Sequence, residues 1–170
     1  IVRSIVRRQE HIPFKYLYYG HRKSIALIAE RASWLLPNSE SEYKRLQQEY
    51  GVQAKYSVIP NGVNLDLFKI SGEEVAREEN LIICAGRVEG RKNQLNLIKA
   101  LNNTKYRLLI IGDPAPNHTS YYNLCRKNAA AYIEFIHKVP QHQLITYYKK
   151  ANVHVLPSWF ETTGLSSLEA

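Results

Sequence analysis

The stretch Pro157-Ser158-Trp159-Phe160-Glu161-Thr162-Thr163-Gly164-Leu165-Ser166-Ser167-Leu168-Glu169-Ala170 decides how the rest of the chain reads. It follows an apolar, β-branched run, Val153 to Leu156, which predicts a buried parallel strand bounded by Pro157. Small and hydroxylated residues come next, then a glycine, then a helical pattern in which Leu165 and Leu168 are three apart. The order is strand, tight loop, helix start. The first amides of a helix lack intrahelical partners and the helix dipole is positive there, so such a loop suits an anion. Gly164 lets the backbone approach a phosphate closely, and Leu165 supplies the next amide. Glu161 stands before the loop and Glu169 within the helix, with seven residues between them. A carboxylate at the lip can meet sugar hydroxyls, and one two turns down the helix can accept hydrogen bonds from a ribose diol. The plainer reading of the same pair is a solvated helix face carrying Glu169, with Glu161 as a cap.

A second loop adds positive charge. Leu81 to Gly86 predicts a buried parallel strand, and Asn93 to Leu101 an amphipathic helix with Leu95, Ile98 and Leu101 on one side. Between them, Gly86-Arg87-Val88-Glu89-Gly90-Arg91-Lys92-Asn93 sets Arg87 and Lys92 where a parallel strand ends. Ligands bind beyond the carboxyl ends of such strands, and two cations there can neutralise a diphosphate. Arginine forks onto two oxygens and lysine acts as a point charge. Taken alone, the segment is also an ordinary charged loop, and it gives Arg91 no role.

The remaining elements alternate. Ser24 to Ala32 predicts a helix, and Trp34 to Pro37 a short strand. Ser39 with Glu42 three positions on is a capping box, opening a helix that runs to Tyr50 and stops at Gly51. Tyr56 to Ile59 predicts a strand closed by the turn Pro60-Asn61-Gly62-Val63-Asn64. Ser71 to Asn80 is charged and reads as an exposed connector or a short helix. Arg107 to Gly112 is a strand, Ser120 to Ala131 a helix, Tyr132 to Val139 a strand with its exit, and Gln141 to Ala151 a helix. Strands alternating with helices predict a parallel α/β sheet with right-handed crossovers.

The formal net charge is +8, with Lys and Arg spread through every segment and no aromatic residues interleaved on one face. That argues against a nucleic-acid groove and leaves an anionic membrane surface or an anionic small substrate. No apolar run is long enough to span a bilayer. Arg3, Arg7 and Arg8 with the tyrosines at positions 16, 18 and 19 are suited to a lipid headgroup surface; a solvated helix with aromatic packing is the plainer alternative. Cys84 and Cys125 form no metal or redox motif and read as buried free thiols in a reducing compartment. The chain contains no methionine, which predicts a segment of a longer protein.

Four stretches together resemble one family, the retaining glycosyltransferases of the GT-B fold, family 4. Pro60-Asn61-Gly62-Val63-Asn64 resembles its interdomain crossover, with Asn64 in place of an aspartate; Arg87 and Lys92 match its Gly-Arg, four residues, Lys spacing; Ala151-Asn152-Val153-His154-Val155-Leu156-Pro157-Ser158 resembles its last strand; and Glu161 with Glu169 matches its paired glutamates. The resemblance covers about residue 30 onward. It implies a Rossmann-like parallel sheet with helices on both faces. Residues 1–62 correspond to the end of an N-terminal acceptor domain and 63–170 to the first part of a nucleotide-sugar-binding domain.

The implied activity is sugar transfer from a nucleotide-diphosphate donor to a carbohydrate or glycolipid acceptor, with retention, in the cytoplasm or at the inner membrane face. Glu161, Arg87 and Lys92 carry the chemistry; Gly86, Val139, Thr163, Gly164, Leu165 and Glu169 complete the donor contacts. No Asp-x-Asp motif is present, so no metal and no cofactor are expected. Two departures bear on selectivity: His137 where the family often has glycine beside the base, and Thr162-Thr163 where relatives have Gly-Phe.

Overall fold

The computed structural model describes residues 14–68 and 75–170. Arg3, Arg7 and Arg8 and part of the Ser71–Asn80 connector lie outside the described residues. The chain divides into two compact units, one ending at Asn61 and the other beginning at Gly62.

In the first unit, helix α1 (Phe14–Arg31) is two helical segments joined at Gly20, whose φ of 72° and ψ of 173° leave the helical region. It reaches well upstream of the predicted Ser24 start. Tyr18 packs edge-on against Tyr19, and Lys23 lies 5.0 Å over the Tyr19 ring. Helix α2 (Glu40–Tyr50) begins as its capping box dictates: Ser39 Oγ accepts from the Glu42 amide at 3.2 Å, and the Glu42 carboxylate turns back to the Asn38 amide. It ends where Gly51 enters the left-handed region and donates to the Gln47 carbonyl. The two short predicted strands pair in parallel at Leu35 and Tyr56, and Tyr56 stacks on the buried Tyr43 at 3.5 Å.

The second unit is an α/β fold on a four-stranded parallel sheet. A single-turn helix α3 (Leu65–Phe68) precedes β1 (Glu78–Ala85), followed by α4 (Gln94–Leu101), β2 (Arg107–Ile111), α5 (Thr119–Asn128), β3 (Ile133–Ile136), α6 (Gln141–Lys150), β4 (Ala151–His154) and α7 (Leu165–Glu169). The strand order is β3-β2-β1-β4. The apolar runs of β1 and β2 divide by the two-residue strand period: Ile82, Cys84, Leu108 and Ile110 face one core with Ile98 and Cys125, whereas Leu81, Ile83, Leu109 and Ile111 face another with α6 residues Leu144, Tyr147 and Tyr148. Helices therefore cover both faces, which is why the central strands are apolar throughout. Both cysteines are buried and free, and burial pushes the Cys84 thiol up to about 12 against the pull of the Lys92 charge.

Some boundaries correct the sequence reading. The Ser71–Asn80 connector gives its last residues to β1, which starts at Glu78. Strand β4 starts at Ala151 and, among the described residues, pairs with β1 alone; His154, Val155 and Leu156 are partly buried but Val153 is 45% exposed, so the expectation of a buried strand over Val153–Leu156 does not hold at Val153. Its ladder continues one step past His154, because the Val155 amide donates to the Ile83 carbonyl at 2.9 Å. Leu165 and Leu168 are both exposed, and Glu169 stands about one turn into α7 rather than two.

Candidate functional site

The site is built on strand ends. Gly86 and Gly112 close β1 and β2 with φ of 146° and 144°, and a Cβ on Gly112 would lie 2.2 Å from the Gly86 carbonyl oxygen. No side chain fits there. Beyond the glycines the two exits run side by side: the Val88 amide donates to Asp113 and the Ala115 amide to Val88, at 3.0 and 3.1 Å. Buried Val88 fixes the loop, while the Arg87 side chain next to it is 63% exposed. Arg87 is anchored through its backbone, whose carbonyl accepts from Gln94 Nε2 at 2.9 Å, and its guanidinium lies 3.8 Å from Glu89.

The loop then makes a 3-10 turn over Gly90–Lys92 and exits through Asn93, in the left-handed conformation at φ 60°. Each of three successive residues reaches the segment after β4. Asn93 Nδ2 donates to the Pro157 carbonyl at 3.0 Å. Arg91 accepts from the Trp159 amide at 3.0 Å through its own carbonyl and donates from Nη1 to the Phe160 carbonyl at 3.2 Å. Lys92 Nζ donates to Glu161, whose same oxygen accepts from Ser158 Oγ. The sheet order causes this meeting: β4 adjoins β1, so their exits emerge together. Burial pushes the Glu161 carboxyl up, but the hydrogen bonds from Lys92 and Ser158 and the charges of Lys92 and Arg91 outweigh it and hold the pKa below the ordinary value.

Gly164 caps α7 in the left-handed conformation, φ 66°, and a Cβ there would touch Leu156 at 2.9 Å. The Ser167 amide donates to the Gly164 carbonyl at 2.8 Å, and the Gly164 and Leu165 amides stand at the start of the helix. Glu169 accepts from Gln141 Nε2 at 3.3 Å and from Tyr148 Oη at 3.5 Å. Burial, with the Glu169 charge added, raises the Tyr148 pKa well above its ordinary range. Tyr148 packs edge-on against His154, whose buried Nε2 has no hydrogen-bond partner and whose pKa burial lowers.

At the β3 exit, His137 Nδ1 lies 2.8 Å from Asp113 Oδ1, which also accepts from the Lys138 amide, so the β2 and β3 exits are joined two residues before Val139. The hydrogen bond to His137 is the main cause that holds the Asp113 carboxyl below its ordinary range.

The residues singled out in the sequence therefore fall into neighbourhoods. Lys92 and Glu161, assigned to different parts of a donor, are bonded to each other; Glu169 joins Gln141 and Tyr148; Arg87 turns to Glu89. Sequence reasoning missed Ser158, Asn93 and Arg91 as the residues that hold the Glu161 segment. The charge of Arg91 was visible, but its partners are 68 and 69 positions away and no local pattern points to them.

Residues 66–170 match the family model described as glycosyl transferases group 1. The chain is 26% identical to D-inositol 3-phosphate glycosyltransferase 2 of Catenulispora acidiphila, over 84% of this chain and 39% of that protein. In fold it is similar to sucrose-phosphate synthase of Thermosynechococcus elongatus, with TM-score 0.75, 22% identity, and coverage of 99% of this chain and 50% of that one. It is likewise similar to Anabaena HepE in complex with UDP-glucose, with TM-score 0.76, 17% identity, and coverage of 99% and 52%. The chain thus spans about two fifths of the length of its sequence relative and about half of each structure. On the family match across most of its length, this chain belongs to the group 1 glycosyl transferases.

Proposed function

We propose that the second unit binds a nucleotide-diphosphate sugar and that, in the full-length protein, the sugar passes with retention to a carbohydrate or glycolipid acceptor, as in family 4 of the GT-B enzymes. The observation that carries this reading is the Lys92–Glu161 pair beyond the carboxyl ends of two adjacent parallel strands. It puts a cation for a leaving diphosphate beside a carboxylate for a sugar. The UDP-glucose bound to the Anabaena protein supports a donor of this class.

Transfer builds negative charge on the leaving diphosphate and positive character on the sugar, so groups fixed before the reaction lower the barrier. Arg87, Lys92 and the Gly164 and Leu165 amides meet the diphosphate, whose approach the bare backbone of Gly86 permits. Glu161 meets the sugar, Thr163 lines its pocket, Glu169 holds the ribose and the backbone at Val139 meets the base. Without donor, Lys92 is bonded to Glu161, and the remaining N–H donors of its ammonium meet the phosphate oxygens when the donor binds. Protein cations supply the charge, and the reaction proceeds without a metal. The segment 1–62 belongs to the acceptor domain and provides peripheral contact at the cytoplasmic membrane face, in polysaccharide, lipopolysaccharide or glycolipid synthesis. No described helix is long and apolar enough to cross a membrane. The alternative is a non-catalytic nucleotide-sugar-binding module.

The test is a panel of nucleotide sugars offered to the full-length protein, read by thermal shift and by turnover with and without a chelator. The reading requires one donor to stabilise and to turn over, with activity retained in chelator. Stabilisation without turnover selects the non-catalytic module. Loss of activity in chelator that manganese or magnesium restores ends the metal-free mechanism.

A further inference from the structure

Arg91 lies outside the donor contacts proposed above, yet its bonds converge on the segment that carries Glu161. Its guanidinium forks. One arm, Nη2, donates at 3.0 Å to Glu89, a carboxylate whose residue is only 8% exposed; the other, Nη1, donates to the Phe160 carbonyl, immediately before Glu161. Its own carbonyl receives the Trp159 amide. A single side chain therefore bridges a buried anchor to the peptide preceding the carboxylate, with a backbone bond one residue earlier. Trp159 is 72% exposed, so packing of its indole does not hold this segment in place. Hydrogen bonds do.

We propose that Arg91 is a positioning residue: the Glu89–Arg91–Phe160 strut fixes the backbone that aims Glu161 at the donor sugar. The proposal rests on the glycosyltransferase reading above. Planarity matters, because a guanidinium presents two donors in a fixed fork, whereas a lysine ammonium is a point charge that cannot span both acceptors in the same way. Small displacements of a reacting group lower turnover far more than they lower affinity for the non-reacting parts of a substrate.

The test uses the full-length protein with Arg91→Ala, Arg91→Lys and Glu89→Gln. The expected result is a fall of about tenfold or more in kcat for Arg91→Ala, with donor KM and nucleoside diphosphate affinity within about twofold of wild type. Arg91→Lys stays impaired although it keeps the charge, and Glu89→Gln shifts kcat in the same direction by weakening the anchor. Three outcomes overturn the proposal: unchanged kcat in Arg91→Ala; full rescue by Arg91→Lys, which would make charge alone sufficient; or a loss of diphosphate affinity matching that of Arg87→Ala, which would make Arg91 a diphosphate ligand. A wild-type protein that neither binds nor turns over any nucleotide sugar sinks the functional reading instead. The strut then still faces hydrogen exchange across residues 157–161, measured by mass spectrometry. Exchange there should quicken about tenfold or more in Arg91→Ala, and unchanged protection removes the strut whatever the protein's activity.

Discussion

Glu161 and Glu169 share one loop-helix segment but are held by different chemistry. Glu161 sits between the Lys92 ammonium and the Ser158 hydroxyl, with its side chain 22% exposed, so it is held by a charge-assisted bond in a half-buried setting. Glu169 meets two neutral donors at 3.3 and 3.5 Å, the long end of hydrogen-bond geometry. In the Lys92 bond donor and acceptor carry opposite charges, whereas in the Glu169 bonds the donors are neutral and the geometry is long, so the first is the stronger hold. The carboxylate assigned to the reacting sugar is therefore fixed before any ligand arrives, whereas the one assigned to the ribose can exchange its partners at little cost. Fixing a group in advance benefits the step in which charge changes. Loose holding suffices where binding is alike in ground and transition states.

The largest effect that can break this comparison is on turnover. Glu161→Gln in the full-length protein should lower kcat by about a hundredfold or more, the range for a missing positioned group in the transition state. Nucleoside diphosphate affinity should hold or tighten, because Lys92 is released from its carboxylate. Glu169→Gln should raise donor KM by about tenfold and leave kcat near wild type, the signature of lost uniform binding. Calorimetry with the nucleoside diphosphate supplies the decisive contrast. If Glu161→Gln abolishes binding while Glu169→Gln binds normally, the two roles are reversed.

A smaller effect separates the two cations. Arg87→Ala and Lys92→Ala should each weaken nucleoside diphosphate binding by roughly 1.5–3 kcal/mol, the range for hydrogen bonds to charged groups. Their stabilities should differ. Arg87 is exposed and 3.8 Å from Glu89, so its loss should leave the melting temperature nearly unchanged. Lys92 is largely buried against Glu161, so its loss strips that carboxylate of its only described ion-pair partner and should lower the melting temperature by several degrees. Equal melting temperatures would mean that the pair contributes nothing to the ligand-free fold.

Much of this architecture is legible along the chain, because it depends on local rules. The apolar runs at Leu81–Ala85 and Leu108–Ile111 have to be central strands, and Ser39, Glu42 and Gly51 mark the ends of α2 by their own chemistry. What is not legible depends on which strand neighbours which. The exposure of Val153 goes with β4 being paired on one side alone among the described residues, and nothing in Val153 or His154 announces that. Likewise Lys92 and Glu161 are 69 positions apart, and their pairing exists only because two exits emerge side by side. A spacing rule can nominate both residues for a site, but it is blind to which of them bond each other in the absence of ligand.

The smallest effect is on stability in acid, and it tests the pairing without any substrate. The pKa of Glu161 is depressed in the folded chain: burial pushes it up, and Lys92 and Ser158 more than reverse that. A depressed carboxylate contributes stability that is fully present above its unfolded value, about 4.3, and lost as pH falls through the folded value. Denaturant midpoints should therefore show wild type more stable than Glu161→Gln at about pH 6, with the gap narrowing below about pH 4.3 as the carboxylate takes up its proton. Asp113, whose pKa is also lowered, costs stability in acid alike in both proteins, so the difference between the two isolates Glu161. Lys92→Ala supplies the control in a double-mutant cycle. In that background the ammonium that favours the charged form is gone, and the stability difference caused by Glu161→Gln should be smaller and flatter with pH. A pH-dependent difference of the same size with and without Lys92 would show that Ser158 and the backbone, and not the ion pair, depress the Glu161 pKa, and the contrast between the two glutamates would lose its cause.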